Sequence, residues 1–239
     1  MRRNARPPMA HRLVTVLSLL GLVLDLAQPL ASVSSAAEPL RGVLHLRIDD
    51  PANPGRRNLR LDQPKVLPLK AGDRFRIEAR LNRPAYLYLF WIGYDGKVSP
   101  IYPWKPGRWD ARPEREAKTD RLDLPANADK AWEIPTGSPG VETLLLLVRE
   151  ESPLPRREEE NLGRLLSDTR ISSSVLIKEA VWLENGREIA LDPQGRALPS
   201  IKTRKSDDPV LRIRRLLSDK VQPLGDYHMA IVFPNQGGT

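Results

Sequence analysis

The sequence contains no cysteine and only three histidines among its 239 residues. Without cysteine the chain cannot form disulfides, thiolate metal sites, a cysteine nucleophile or a lipid-anchored N-terminal cysteine. His11, His45 and His228 are scattered through the sequence, which does not favour a histidine-based metal site. We therefore expect no cofactor and no bound metal.

Motifs of known catalytic or nucleotide-binding loops are also missing. The 15 glycines form neither G-x-G-x-x-G nor G-x-x-x-x-G-K-[ST], and no G-x-S-x-G or S-x-x-K occurs. The adjacent pairs Asp49-Asp50 and Asp207-Asp208 lack the spacing of a calcium loop and are interpreted as turn and helix-cap residues. No pair of acids stands out as a glycosidase pair. The sequence thus predicts a protein that is not an enzyme.

The N-terminus has the pattern of a secretory signal. Four arginines precede an uncharged apolar stretch, Leu13 to Leu24, and the small-residue run ASVSSAAE follows it. As a helix this stretch would span about 18 Å, against the ~30 Å of a membrane core. We expect cleavage after Ala37 and a periplasmic or secreted domain. An uncleaved signal anchor holding the protein at the membrane is the alternative.

The charge balance is basic, with 38 Lys and Arg against 30 Asp and Glu. Removal of residues 1–37 would take away four Arg and Asp25, leaving 34 basic and 29 acidic residues and a net charge of +5. Acidic residues are interspersed among the basic groups, and no nucleic-acid motif is present, so nucleic acid is not an expected partner. Polysaccharides or anionic surfaces suit an exported basic protein better.

Alternating and continuous apolar runs predict a mainly β fold. Phe75, Ile77, Ala79 and Leu81 share one face of DRFRIEARL, the period of a half-buried strand. AYLYLFWIG and VETLLLLVRE are apolar on both faces and predict central strands. Asp95-Gly96 and Asn185-Gly186 predict hairpin turns. The predicted strands are 43–48, 66–70, 73–81, 85–93, 97–102, 121–125, 131–135, 141–150, 175–184, 187–191 and 228–234.

Two segments have helical patterns instead. Glu158 to Glu160 follow Pro155, as acids do in a first helical turn, and Leu162, Leu165 and Leu166 give an apolar stripe. Asp208-Pro209 is an N-cap followed by proline at the first helical position. The fold class predicted is an immunoglobulin-like β-sandwich with one or two short peripheral helices.

The domain organisation follows from these elements. Residues 1–37 are the predicted signal peptide, and 38–65 an N-terminal strand with a polar linker. Residues 66–155 form the core β domain, while 156–239 contribute a helix, a hairpin and a closing strand to that domain. A second polar linker is expected from Leu191 to Lys205.

Three sequence blocks carry a resemblance to a known family. The blocks are AGDRFRIEA, AYLYLFWIGYDGKVSPIYP and EIPTGSPGVETLLLLVREESPL, within residues 66–155. In order and spacing they resemble a bacterial family known as domain of unknown function 4384. The resemblance implies a non-catalytic β-rich module, found alone or beside Ser/Thr kinase and caspase-like peptidase domains, and no catalytic residues to carry over. This chain has neither partner domain and inserts a Trp-containing loop.

Aromatic clustering gives the candidate contact residues. Of 13 aromatic residues, eight lie between Tyr86 and Trp109. Those on the strand are interpreted as core packing. The following loop, IYPWKPGRWDARPER, mixes Trp with basic residues, which is the composition of a binding patch. Packing of its Trp residues against the sandwich edge is the alternative. The predicted partner or ligand contacts are Tyr102, Trp104, Lys105, Arg108 and Trp109.

Three functions are therefore considered from sequence. The first is an exported, non-catalytic binding module for a protein or cell-envelope partner. The second is a carbohydrate-binding module in which the Trp pair stacks on sugar rings. The third, implied only by the family resemblance, is a regulatory accessory domain of a Ser/Thr kinase or caspase-like peptidase system.

Overall fold

Antiparallel strands dominate the computed structural model of this chain, which describes residues 38–50, 53–134, 136–167, 177–191, 197–200, 202–206 and 208–237. Residues Pro39–Thr239 form one compact unit, and the predicted signal peptide lies outside the described residues. The strands are β1 (Gly42–Ile48), β2 (Leu59–Arg60), β3 (Arg74–Ile92), β4 (Val98–Tyr102), β5 (Thr119–Leu124), β6 (Trp132–Glu133), β7 (Gly140–Arg149), β8 (Val181–Glu184), β9 (Arg187–Leu191), β10 (Ala197–Pro199) and β11 (Tyr227–Asn235), and the α-helices are α1 (Arg156–Ser167) and α2 (Pro209–Leu216).

Strand β3 belongs to two sheets, and each sheet is defined by the strands that pair with one part of β3. Its N-terminal part pairs with β1, β5 and β6, and β2 adds to the far side of β1. Its C-terminal part pairs with β4 and β7, and the order continues from β7 through β11, β8 and β9 to β10. All these pairings are antiparallel. The first group is named sheet A and the second sheet B.

The inner faces of sheets A and B meet in one apolar core. Leu44 and Leu46 from β1 lie in the same buried cluster as Leu144 and Leu146 from β7. The Trp182 indole N–H donates to the Leu44 carbonyl at 3.2 Å, which joins the two sheets directly. This arrangement confirms the predicted β-sandwich.

The other face of sheet B packs against the helices. Leu145 and Leu147 of β7 lie in a second buried cluster with Leu162 of α1 and Ile213 of α2. Side chains of a strand alternate between faces, so β7 needs apolar residues on both. The predicted double-faced strands are confirmed: β7 and the second half of β3 are covered on each side.

Helix α2 begins where its capping residues require. The Asp208 carboxylate accepts from the Val210 N–H at 2.8 Å, and Pro209 occupies the first turn. A π-turn, Leu217–Val221, and a 3-10 turn, Gln222–Leu224, then lead into β11. Asp207 lies outside the described residues.

Three strand predictions differ from the structure. Residues 73–81 and 85–93 are one 19-residue strand rather than two. Pro84 lacks an N–H donor, and it falls where the pairing of β3 with β5 shifts register between Arg80 and Ala85. Residues 66–70 form only an isolated bridge at Leu69, and of 175–184 only β8 is a strand among the described residues. The segment predicted as the first linker contains β2.

Candidate functional site

The five predicted contact residues lie where β4 leaves sheet B. Tyr102 ends β4 and is half-buried, while Lys105 and Arg108 are exposed. Trp109 is half-buried and begins a 3-10 turn, Trp109–Ala111. Trp104 is only 3% exposed. The structure thus brings these residues together in one loop but gives them different environments.

Trp104 does not belong to an exposed contact surface, which corrects that part of the sequence prediction. Its ring centroid lies 5.3 Å from Phe90, 5.9 Å from Tyr88 and 5.5 Å from Trp109. Its indole N–H donates to Glu159 Oε1 at 2.7 Å. A large aromatic side chain with one polar group is well suited to such a buried position. Trp104 therefore covers the edge of the sandwich.

A buried arginine holds the same loop to α1. Arg112 is 7% exposed, and its guanidinium pairs with the carboxylates of Glu116 and Glu159, the latter at 2.8 Å. It also donates to the Leu154 carbonyl at 2.8 Å and lies over the ring of Tyr88, 5.3 Å from its centroid. A buried charge needs this degree of pairing and hydrogen bonding to be tolerated.

Burial and hydrogen bonds shift the pKa values of Arg112 and Tyr88. Burial opposes the charged guanidinium, but hydrogen bonds with Glu116 and Glu159 raise the pKa of Arg112. Burial, together with the hydrogen bond donated to Glu116 at 2.6 Å, raises the pKa of Tyr88. Arg112 therefore stays charged, and the Tyr88 hydroxyl stays neutral, at neutral pH.

A groove of about 510 Å³ opens above this cluster, between the loop and α1. It is lined by Trp109, Asp110, Arg156, Glu159 and Gly163, and is named the Trp109 groove. The three α1 residues occupy positions i, i+3 and i+7, which share one face of a helix. Helix and loop thus each supply one wall.

Gly163 leaves space in this groove. A glycine in the interior of a helix lowers the stability of the helix by roughly 1 kcal/mol relative to alanine. A Cβ at position 163 would lie 3.5 Å from Trp109 Cζ2 and 3.8 Å from Cε2, which is ordinary van der Waals contact. Packing therefore does not require glycine here, whereas a long side chain would project toward the indole.

The charged groups of the groove differ in how tightly hydrogen bonds from neighbouring side chains hold them. Both Glu159 oxygens already accept bonds from Trp104 and Arg112. The exposed Asp110 carboxylate binds Arg108 through Oδ1 at 3.2 Å and Oδ2 at 2.6 Å, and this partner lowers the pKa of Asp110. The Arg156 side chain is 56% exposed. Its ion pair with Glu159 is long, at 3.5 Å, so Arg156 is held less tightly than Glu159 or Asp110.

Arg112, Glu159 and Gly163 have no direct signal as site residues in the sequence. Each is one of many charged or glycine residues, and α1 begins 47 positions after the loop's Trp109. Glu142 was missed as well, although an acid within the apolar run VETLLLLV was a usable signal. Glu142 is 5% exposed, accepts from the Trp91 indole at 2.7 Å and from Asn235, and burial raises its pKa.

Metal-binding clusters and membrane-spanning helices are absent from the described part of the chain. There, no group of three or more His, Asp or Glu side chains is placed to hold a metal ion. The described helices include none with the length and apolar character needed to span a membrane.

Comparison with protein families identifies one similarity. Residues 68–151 match the family described as Domain of unknown function (DUF4384), which confirms the resemblance found in the sequence. The match includes the loop with Trp104 and Arg112 but ends before α1, so three of the five residues that line the Trp109 groove lie outside it. Comparisons with curated proteins and with solved structures gave no match.

Proposed function

We propose that this protein is an exported, non-catalytic β-sandwich module that binds a protein or cell-envelope component in the Trp109 groove. The observation that carries the proposal is an open groove with one aromatic wall and one charged wall. Pockets of 300–1,000 Å³ that combine apolar surface with a few polar groups are typical ligand sites. The volume of about 510 Å³ lies within this range.

The distribution of rigid and exposed groups supports binding at this place. Trp104 and Arg112 are buried and fix the loop to β3 and α1. Trp109, Arg108 and Arg156 keep exposed surface around the opening. Aromatic and arginine side chains on a rigid support are the usual energetic centres of interfaces.

The chemistry of the groove supports a binding role over a catalytic one. A general base must reach the proton that it removes. Glu159 is 7% exposed with both oxygens held by internal hydrogen bonds, and Asp110 is an exposed carboxylate paired with Arg108. Export is proposed from the basic, apolar and small-residue order of residues 1–37.

Co-sedimentation with an insoluble cell-envelope preparation tests the proposal. We expect the full-length chain and Gly163→Ala to sediment with the preparation, and Gly163→Phe to remain in the supernatant because its ring fills the groove. The alanine variant is the matched control, since its Cβ is accommodated beside Trp109. Sedimentation of the phenylalanine variant at the wild-type level, with an unchanged melting temperature, would overturn the proposal.

A further inference from the structure

Arg156, which lines the Trp109 groove, has hydrogen-bond donors that are only partly used by its neighbours. A guanidinium has five N–H donors. Within the described residues, Arg156 uses Nη1 toward Glu159 Oε2 at 3.5 Å and Nη2 toward the carbonyls of Pro113 at 3.0 Å and Arg112 at 3.5 Å. Two of these contacts are long, and the side chain is 56% exposed. Arg156 can therefore receive a further acceptor from solvent.

The acidic groups near the opening do not compete for that role. Glu159 is held by Arg112 at 2.8 Å and by Trp104 at 2.7 Å. Asp110 is held by two hydrogen bonds from Arg108. Each of these carboxylates already accepts hydrogen bonds from an arginine, so the partly used donors of Arg156 are the charged group that a ligand in the groove can reach. A carboxylate matches a guanidinium in shape and can accept two parallel hydrogen bonds from it.

The loop wall combines an aromatic ring with a carboxylate. The Trp109 indole, which stacks on Phe90 at 5.8 Å between ring centroids, contributes the aromatic surface, and Asp110 contributes the carboxylate. On the helix, the absent side chain of Gly163 leaves space beside the indole. A pyranose ring has an apolar C–H surface and a polar edge of hydroxyl groups, so it fits a site with an aromatic wall next to charged groups. Asp110 can accept from hydroxyls at the rim.

We propose that the ligand of the Trp109 groove is an acidic saccharide, with its ring against Trp109 and Gly163 and its carboxylate on Arg156. This inference rests on the proposed function and specifies its ligand. An acidic peptide would also bind Arg156 through its carboxylates, but its acidic side chains carry no ring that could lie against the Trp109 indole. The saccharide is therefore the ligand class that uses both walls.

Calorimetric titration of the full-length chain tests the inference with a matched pair of probes. Trigalacturonic acid supplies sugar rings with carboxylates, and its methyl ester has the same rings without the charge. We expect saturable binding of the acid and at least about tenfold weaker binding of the ester, because the ester loses charge-assisted bonds to Arg156. Equal affinity for both probes would overturn the role assigned to Arg156.

Two matched pairs of variants locate the interaction. Arg156→Gln should raise the dissociation constant for trigalacturonic acid about tenfold or more. Arg157→Gln, the same change at the exposed neighbour on α1, should leave it within about twofold. Gly163→Phe should abolish binding, while Gly163→Ala should retain it. An equal loss in the two arginine variants would indicate general charge attraction and contradict the inference.

The outcomes separate this inference from the proposed function. If trigalacturonic acid does not bind, while Gly163→Phe still prevents co-sedimentation with the envelope preparation, the groove binds another ligand and the saccharide inference is wrong. Binding of a polyglutamate peptide but not of the trisaccharide would likewise overturn it in favour of an acidic peptide. If neither the trisaccharide nor the envelope preparation binds, both proposals fail.

Discussion

Trp104 is fixed in the core by three aromatic contacts and by one hydrogen bond to the buried Glu159. Burial of its apolar ring stabilises the fold. Its N–H donates a hydrogen bond that offsets part of the free-energy cost of burying the Glu159 carboxylate. These two contributions can be separated by substitution.

Trp104→Phe should lower the free energy of unfolding by about 2 kcal/mol, because it removes a hydrogen bond to a charged acceptor. Trp104→Ala should lower it by about 4 kcal/mol through the added cavity. Urea unfolding measures both values. The exposed Lys105→Ala serves as the control and should stay within about 0.5 kcal/mol of wild type. Near-wild-type stability of Trp104→Ala would mean that Trp104 is not a core residue.

His228 is the second residue with a measurable consequence. It is 1% exposed on β11, and its Nε2 atom has no hydrogen-bond partner among the described residues. Burial lowers its pKa from 6.5 to about 4. The folded protein thus keeps the imidazole neutral, while the unfolded chain takes up a proton at a higher pH.

The stability of the wild type should therefore fall as the pH decreases from 6.5 through 4, because the unfolded state binds the proton first. The His228 contribution to this loss is about 3 kcal/mol at pH 4. Denaturant unfolding of wild type and His228→Leu at pH 7 and pH 4 isolates it, since the carboxylates titrate in both proteins. Parallel pH profiles for the two proteins would contradict the assignment.

Gly163, the residue of α1 with the lowest helix propensity, faces Trp109. Gly163 has no packing reason to be glycine, since a Cβ would meet the indole at ordinary distance. We attribute the absence of a longer side chain at this position to the space that the Trp109 groove requires.

Gly163→Ala should raise the free energy of unfolding by about 0.5–1 kcal/mol, because alanine restricts the unfolded chain and favours the helix. Thermal or urea unfolding provides the measurement. Destabilisation by alanine would show that the glycine is needed for packing, and the functional explanation would then be wrong.

At the level of elements, periodicity predicted the two hairpins, both helices and the double-faced strands, because burial on one or two faces leaves a direct pattern in the sequence. It divided β3 at Asn82 to Pro84, since proline usually interrupts a strand. Local sequence could not indicate that a register shift next to Ala85 would accommodate Pro84 within a continuous strand.

The site was less accessible from the sequence than the fold. The Trp-rich loop was identified, but its composition alone did not distinguish the buried Trp104 from the half-buried Trp109. The second wall is supplied by Arg156 and Gly163, whose position depends on the tertiary contacts between Arg112 and Glu159. A charged pair separated by 47 positions has no signature in a single sequence.

The two sheets and both buried clusters of the described fold are joined through β3, which contributes residues to all four. The helices pack on sheet B through the second cluster and therefore cannot separate without exposing β7. This arrangement predicts one cooperative unit.

Unfolding in urea should consequently follow one transition. Far-UV circular dichroism, which reports the strands and helices, and tryptophan fluorescence, which reports Trp104 and Trp182 in different clusters, should give the same midpoint. Separate midpoints would show that the helical layer unfolds independently of the sandwich.

The central claim is that ligand binding takes place in the Trp109 groove. Hydrogen exchange of the full-length chain, with and without a soluble cell-envelope extract, tests it most directly. We predict slower amide exchange in residues 105–111 and 156–163, which form the two walls, with β5 and β6 of sheet A unchanged. Protection confined to sheet A, or absent from both walls while the chain is bound, would contradict the account.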